Sequence, residues 1–157
     1  MVSLLATVLV AAWLAVLAGA GQEATDPGSK TRLERVFEAC SDPATTVDEL
    51  DTLIFDGIDV NATNPDGRMR SFGLTSLMTV AAHATAPGLV ETLLDAGANL
   101  RMRSVDGDRT ALMFAASNEQ GIEVIRALIT AGADVEARTA DGDTPLAMAA
   151  SFNPDPR

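Results

Sequence analysis

A chain of 157 residues that is 47% hydrophobic has the material for one domain of ordinary size and its core. Aromatic content of 4%, with no tyrosine, speaks against a β-sandwich or barrel, and an abundance of alanine and leucine favours helices. A net charge of −11 repels phosphate backbones and anionic headgroups, which excludes nucleic acid and membrane surfaces as natural partners. The single cysteine, Cys40, excludes an internal disulfide, a cysteine-based zinc site and a redox pair, and its helical context predicts a small buried apolar residue.

Residues 1–20 carry no charged side chain. Their apolar run, Leu4 to Leu17, ends in Ala18-Gly19-Ala20, the pattern of an export signal cleaved after Ala20. No Lys or Arg precedes the run, and the stretch is nearly long enough to span a bilayer, so an uncleaved anchor is the alternative. Either reading places the remainder outside the cytoplasm. The protein is then periplasmic or secreted, or membrane-anchored with the rest of the chain outside, and residues 1–20 are its one route to a membrane. Ten arginines against one lysine, Lys30, point to a GC-rich, bacterial genome. Residues 21–30 are small and polar, with Pro27 and Gly28, and read as a linker.

Residues 31–157 are written in a repeating phrase, and the repeat decides the architecture. The first copy, about 31–63, is degenerate: "LERVFEACSD", then "VDELDTLIFDGIDVNA", with Gly57 in a slot that later copies fill with Gly97 and Gly132. Thr75, Thr110 and Thr144 open the later copies, 35 and 34 residues apart, giving units of about 64–103, 104–138 and a partial 139–157. In each unit the threonine caps a short helix, and Pro145 sits at the first turn of the last. Leu112, Ala115 and Ala116 share one face of that first helix, and small alanines admit a second helix closely. The second helix is expected to bury Ile122, Ile125, Leu128 and Ile129, and Gly132 ends it. The chain then returns through an Asp-Gly turn, Asp141-Gly142. One such pair cannot bury its apolar face alone, so the units must stack into a solenoid.

With "TPLAMAA" and "AGADVEA", the chain over about residues 31–157 resembles the ankyrin repeat family. The resemblance implies an all-α solenoid of stacked helix pairs with projecting β-turn fingers, here preceded by the apolar signal or anchor segment. It also implies a binding scaffold. The family's histidine after Thr-Pro-Leu is replaced by Met78, Met113 and Ala147, which removes the hydrogen bonds that residue makes between repeats.

Sites of chemistry are scarce. There is no HExxH, GxSxG, P-loop, GxGxxG or paired-cysteine motif. His83 is the sole histidine and is expected just after a first helix, as surface decoration. "DGD" at 106–108 and 141–143 lacks the EF-hand spacing and is accounted for by turn chemistry. Asn61-Ala62-Thr63 is a glycan acceptor sequence, but the repeat writes "DVNA" there in any case. No cofactor, metal or small-molecule substrate is expected, and no enzymatic activity.

The informative irregularity is the first finger. Gly57 to Thr75 is longer than the equivalent stretches, and the excess follows the Asp66-Gly67 tip, in "RMRSFGL". Arg68, Met69, Arg70 and Phe72 are of types enriched at interfaces. Arg101, Arg103 and Arg138 lie on the later fingers. Arg103 and Arg138 both stand six residues past their repeat glycine and should stack in register. Either these arginines meet an acidic protein surface, or they form ion pairs with Asp106, Asp108, Glu136, Asp141 and Asp143. The expectation is a non-enzymatic protein-interaction scaffold outside the cytoplasm, binding an unidentified protein through its fingers and concave surface. The alternative is an accessory or inhibitory subunit of one envelope enzyme. The chain stops at Arg157, where the last unit's second helix is expected to begin. "LAMAASF" is not the polar face of a cap, so the sequence reads as a piece of a longer array.

Overall fold

The computed structural model describes residues 31–55, 57–64, 73–83, 86–119 and 121–152. The signal or anchor segment, the linker, and Arg68, Met69, Arg70 and Phe72 lie outside the described residues. The described residues hold helices α1 (Arg32–Ser41), α2 (Val47–Ile54), α3 (Ser76–His83), α4 (Pro87–Asp95), α5 (Ala111–Ala116), α6 (Ile122–Thr130) and α7 (Pro145–Phe152). Among them no helix is long and apolar enough to cross a membrane.

α3, α5 and α7 each start on the residue after a repeat threonine. Thr75 Oγ1 accepts the Met78 N–H and Thr144 Oγ1 accepts the Ala147 N–H, both at 3.3 Å, so two donors that the first helical turn leaves free are satisfied. Thr46 does the same for α2 through the Glu49 N–H at 3.3 Å. Pro87 and Pro145 stand at helix starts, where the missing N–H costs nothing. The repeat glycines Gly57, Gly97 and Gly132 sit at φ +80°, +92° and +90°, a left-handed exit from the second helix that a side chain would strain.

The helices form two rows. α1, α3, α5 and α7 pack in sequence along one row, and α2, α4 and α6 along the other, with each first helix on its own second helix. Between them runs one continuous core that includes Val36, Cys40, Leu50, Leu77, Leu89, Leu93, Leu112, Ala115, Val124 and Leu128. A smaller cluster of Met113, Ala137 and Met148 fastens α7 to the unit before it.

The second helix of the third unit differs from expectation. Val124 and Leu128 are buried and Ile125 is half-buried, but Ile122 is 63% exposed and Ile129 47%. "IEVIRALIT" is apolar on two overlapping stripes, 124/128 and 122/125/129. The period admits either, and packing on α4 and α5 selects the first. His83 is also displaced: it is the last residue of α3, exposed, with Nδ1 2.8 Å from the Thr79 carbonyl oxygen.

Candidate protein-binding surface

The fingers are built by short backbone pairings. Leu74 O accepts the Asn64 N–H at 2.9 Å, pairing the two ends of the first finger. Arg109 O accepts Ser104 N–H at 2.9 Å and Asp143 O accepts Thr139 N–H at 2.9 Å, closing 105–108 and 140–142. The insertion seen in the sequence therefore falls between the two ends of the first finger. At its base Gly73 has φ +72°, and a Cβ there would lie 2.8 Å from Val105 Cγ2, so glycine lets the first finger press against the second.

One polar turn is repeated under the fingers. Asp59, Asn99 and Asp134 each use Oδ1 to accept the N–H two residues on, at Asn61, Arg101 and Glu136, over 2.9, 2.9 and 3.0 Å. Asn61 adds a link between units. Its Nδ2 donates to Gly97 O at 3.0 Å, and its Oδ1 accepts the Asn99 N–H at 2.7 Å. The amide that a glycan would modify is thus already holding the next unit.

The arginine ladder is in register, and its chemistry is structural. Arg103 Nη1 donates to Asp108 O at 3.0 Å and to Arg138 O at 2.6 Å, stapling the second finger to the third. Arg138 Nη1 donates to Gly142 O at 3.0 Å within its own finger. Ala140 N–H donates to Gly107 O at 3.2 Å, a second link between the same fingers. Among the described residues, Arg101, Arg103 and Arg138 form no ion pair with Asp106, Asp108, Glu136, Asp141 or Asp143, whereas Arg126 pairs with Glu123 at 3.9 Å, both exposed. A guanidinium offers its donors in a fork, and at 103 and 138 backbone carbonyls sit where the fork points. Arg101 is exposed on its turn.

Two features escape sequence reasoning. Thr110 N–H is accepted by Met113 Sδ at 3.4 Å, so the methionine in the family's histidine slot still braces the cap. The other is a cleft of about 380 Å³ lined by Ala82, Phe114, Ser117, Asn118 and Glu119, where α3 and α5 end side by side. Asn118 Nδ2 spans it to donate to Ala82 O at 3.0 Å, and the Arg109 guanidinium lies 5.8 Å from the Phe114 ring centroid. The signal in the sequence is faint: Phe114 is a lone aromatic among alanines, and "SNEQG" reads as an ordinary loop.

Cys40 is fully buried. Burial pushes its thiol up from 9.0 to about 12, with the neighbouring Ser76 hydroxyl acting in the opposite sense, so it is a packing residue without nucleophilic character. Among the described residues no group of His, Cys, Asp and Glu is arranged to hold a metal ion.

A family model described as ankyrin repeats (3 copies) matches residues 37–139 and again 77–155. No curated protein matches the chain.

Proposed function

Since this chain belongs to the ankyrin repeat family, whose repeats serve as protein–protein interaction scaffolds and are generally non-enzymatic, we propose that it is a non-enzymatic scaffold that acts outside the cytoplasm. It takes its partner on the fingers and the concave surface beside them, with Arg101 and, by sequence, Arg68, Met69, Arg70 and Phe72 in contact. Arg103 and Arg138 hold the fingers in shape and contribute to binding through that shape. The observation that carries this reading is the cross-linked finger row. Arg103 and Asn61 tie successive units together, while Arg101, Val105 and the tip carboxylates stay exposed. A backbone already held in shape by such links spends less entropy on binding than a loop that must be ordered.

Export rests on residues 1–20. Intact mass of the protein from its native host should begin at Gly21, or retain Met1 in the membrane fraction. A soluble cytoplasmic species retaining Met1 would overturn it. Binding is tested in the full-length protein in its host, with a photo-crosslinking side chain at position 101 and, as comparison, at position 51 on α2. A discrete adduct from 101 and none from 51 supports the finger side. Adducts from 51 alone move the surface to the second helices, and the absence of any adduct at either position counts against a scaffold. A single stoichiometric adduct would favour the accessory-subunit form of the same reading.

A further inference from the structure

The cleft between the ends of α3 and α5 has a chemistry of its own. Its floor is apolar, made by Ala82 and the half-buried ring of Phe114. Two donors of its polar wall are engaged: Ser117 Oγ donates to Met113 O at 2.9 Å and Asn118 Nδ2 donates to Ala82 O at 3.0 Å. The wall also presents acceptors, namely the lone pairs of Ser117 Oγ and the exposed carboxylate of Glu119. A donor-rich cation would find a carboxylate to pair with and an aromatic ring to lie against. That ring already receives a guanidinium from one direction, Arg109 at 5.8 Å, so its electrostatics suit a cation. The chain as a whole carries −11. Two of the finger arginines, Arg103 and Arg138, are engaged by backbone carbonyls.

We infer that this cleft receives a basic segment of the partner protein, with an arginine side chain laid over Phe114 and paired with Glu119. The inference rests on the scaffold reading and reverses the charge that the arginine-rich fingers suggest for the partner. The occupant is an extended peptide rather than a free metabolite. The cleft is open, and at about 380 Å³ it lies near the lower end of the range for small-molecule sites.

The test uses the full-length protein and two labelled probes, an oligo-arginine and an oligo-glutamate peptide, with affinity read by fluorescence anisotropy at about 0.15 M salt, where surface attraction is screened beyond roughly 8 Å. Glu119→Gln should weaken the arginine peptide about fivefold and Phe114→Leu about tenfold. Asp48→Asn on α2 removes the same charge far along the chain and should change affinity less than about twofold. Glu119 is exposed, so its variant keeps the fold even if Phe114→Leu loosens α5, and circular dichroism checks both. Equal losses from Asp48→Asn and Glu119→Gln would mean attraction by net charge alone and would overturn the cleft. So would tighter binding of the glutamate peptide. A crosslinked partner from position 101 together with no cleft effect sinks this inference and leaves the scaffold standing. No crosslinked partner sinks the scaffold, whatever the peptides do.

Discussion

Leu112 and Leu146 occupy the same slot in successive units, two residues past the repeat threonine. Leu112 is 3% exposed and Leu146 is 78% exposed. α5 has its own second helix, α6, and a following first helix, α7, to pack on; among the described helices α7 packs chiefly on α5. The same contrast runs through the second helices. Val90 of α4 is fully buried, whereas its counterpart Ile125 of α6 is half-buried, and Leu94 is half-buried where Ile129 is 47% exposed. At the other end of the row the outward positions are mostly charged: Arg32, Arg35 and Glu38 on α1, with Asp48, Glu49 and Asp51 on α2, are exposed. Glu49 stands where Leu89 and Val124 are buried in later units. In a solenoid, stability is a sum over neighbours, so an identical residue is worth different amounts according to what stacks on it.

The largest test of that contrast is a pair of truncations. Leu112→Ala should cost about 2–5 kcal/mol in urea unfolding, the range for a buried leucine, and Leu146→Ala within about 0.5 kcal/mol of nothing. Equal costs would mean that something covers Leu146 in solution. A second test reads the sealed end through Cys40. Its thiol is protonated in the fold up to about pH 12 and ionises near 9 when unfolded, so the native state holds the extra proton between those values. The contribution of Cys40 should be level below pH 9 and fall above it by at most about 1.4 kcal/mol per pH unit. With no tyrosine and Lys30 the one lysine, few other groups titrate in that window, and Cys40→Ala should flatten the slope. An unchanged slope in that variant would place the alkaline sensitivity elsewhere.

Much of this was legible in the sequence because it is repeated chemistry. The caps at Thr75 and Thr144, the left-handed Gly97 and Gly132, the buried Cys40 and the register of Arg103 with Arg138 each follow from a residue type at a fixed offset. What was not legible depends on a choice among neighbours. Ile122 and Ile129 lie on a helical stripe as plausible as Val124 and Leu128, and only the positions of α4 and α5 decide between them. Arg103 was expected to seek a carboxylate, yet adjacent fingers bring a carbonyl closer. The cleft at Phe114 joins the ends of two units, and no local pattern marks such a juxtaposition.

Hydrogen exchange gives the next largest effect and compares the helices directly. α7 is held by Met148, buried with Met113 and Ala137, but its outer side is open. Amides of Leu146–Ala150 should exchange at least about tenfold faster than those of Leu112–Ala116, a local difference of about 1.4 kcal/mol. Equal protection would mean that the contact with α5 alone is enough to seat the last helix.

The smallest effect separates two arginines that the sequence treats as equivalent. Arg103 reaches across to the next finger at Arg138 O and back to Asp108 O, while Arg138 closes only its own finger on Gly142 O. Lysine at either position keeps the charge and loses the planar fork, so substitution removes geometry and leaves electrostatics almost alone. Both residues are exposed, which limits each loss to about 1 kcal/mol or less. The distinction lies in where the loss is felt. Arg138→Lys should loosen residues 139–143 and leave the second finger as protected as before. Arg103→Lys should raise exchange in both fingers together, because it removes a bond between units. In an array that coupling is what makes neighbours unfold as one. The slope of the urea transition should therefore fall slightly in Arg103→Lys and hold in Arg138→Lys. Identical slopes and identical exchange in the two variants would reduce the staple to a local turn contact, and the cohesion of the fingers would then rest on the Ala140–Gly107 backbone bond.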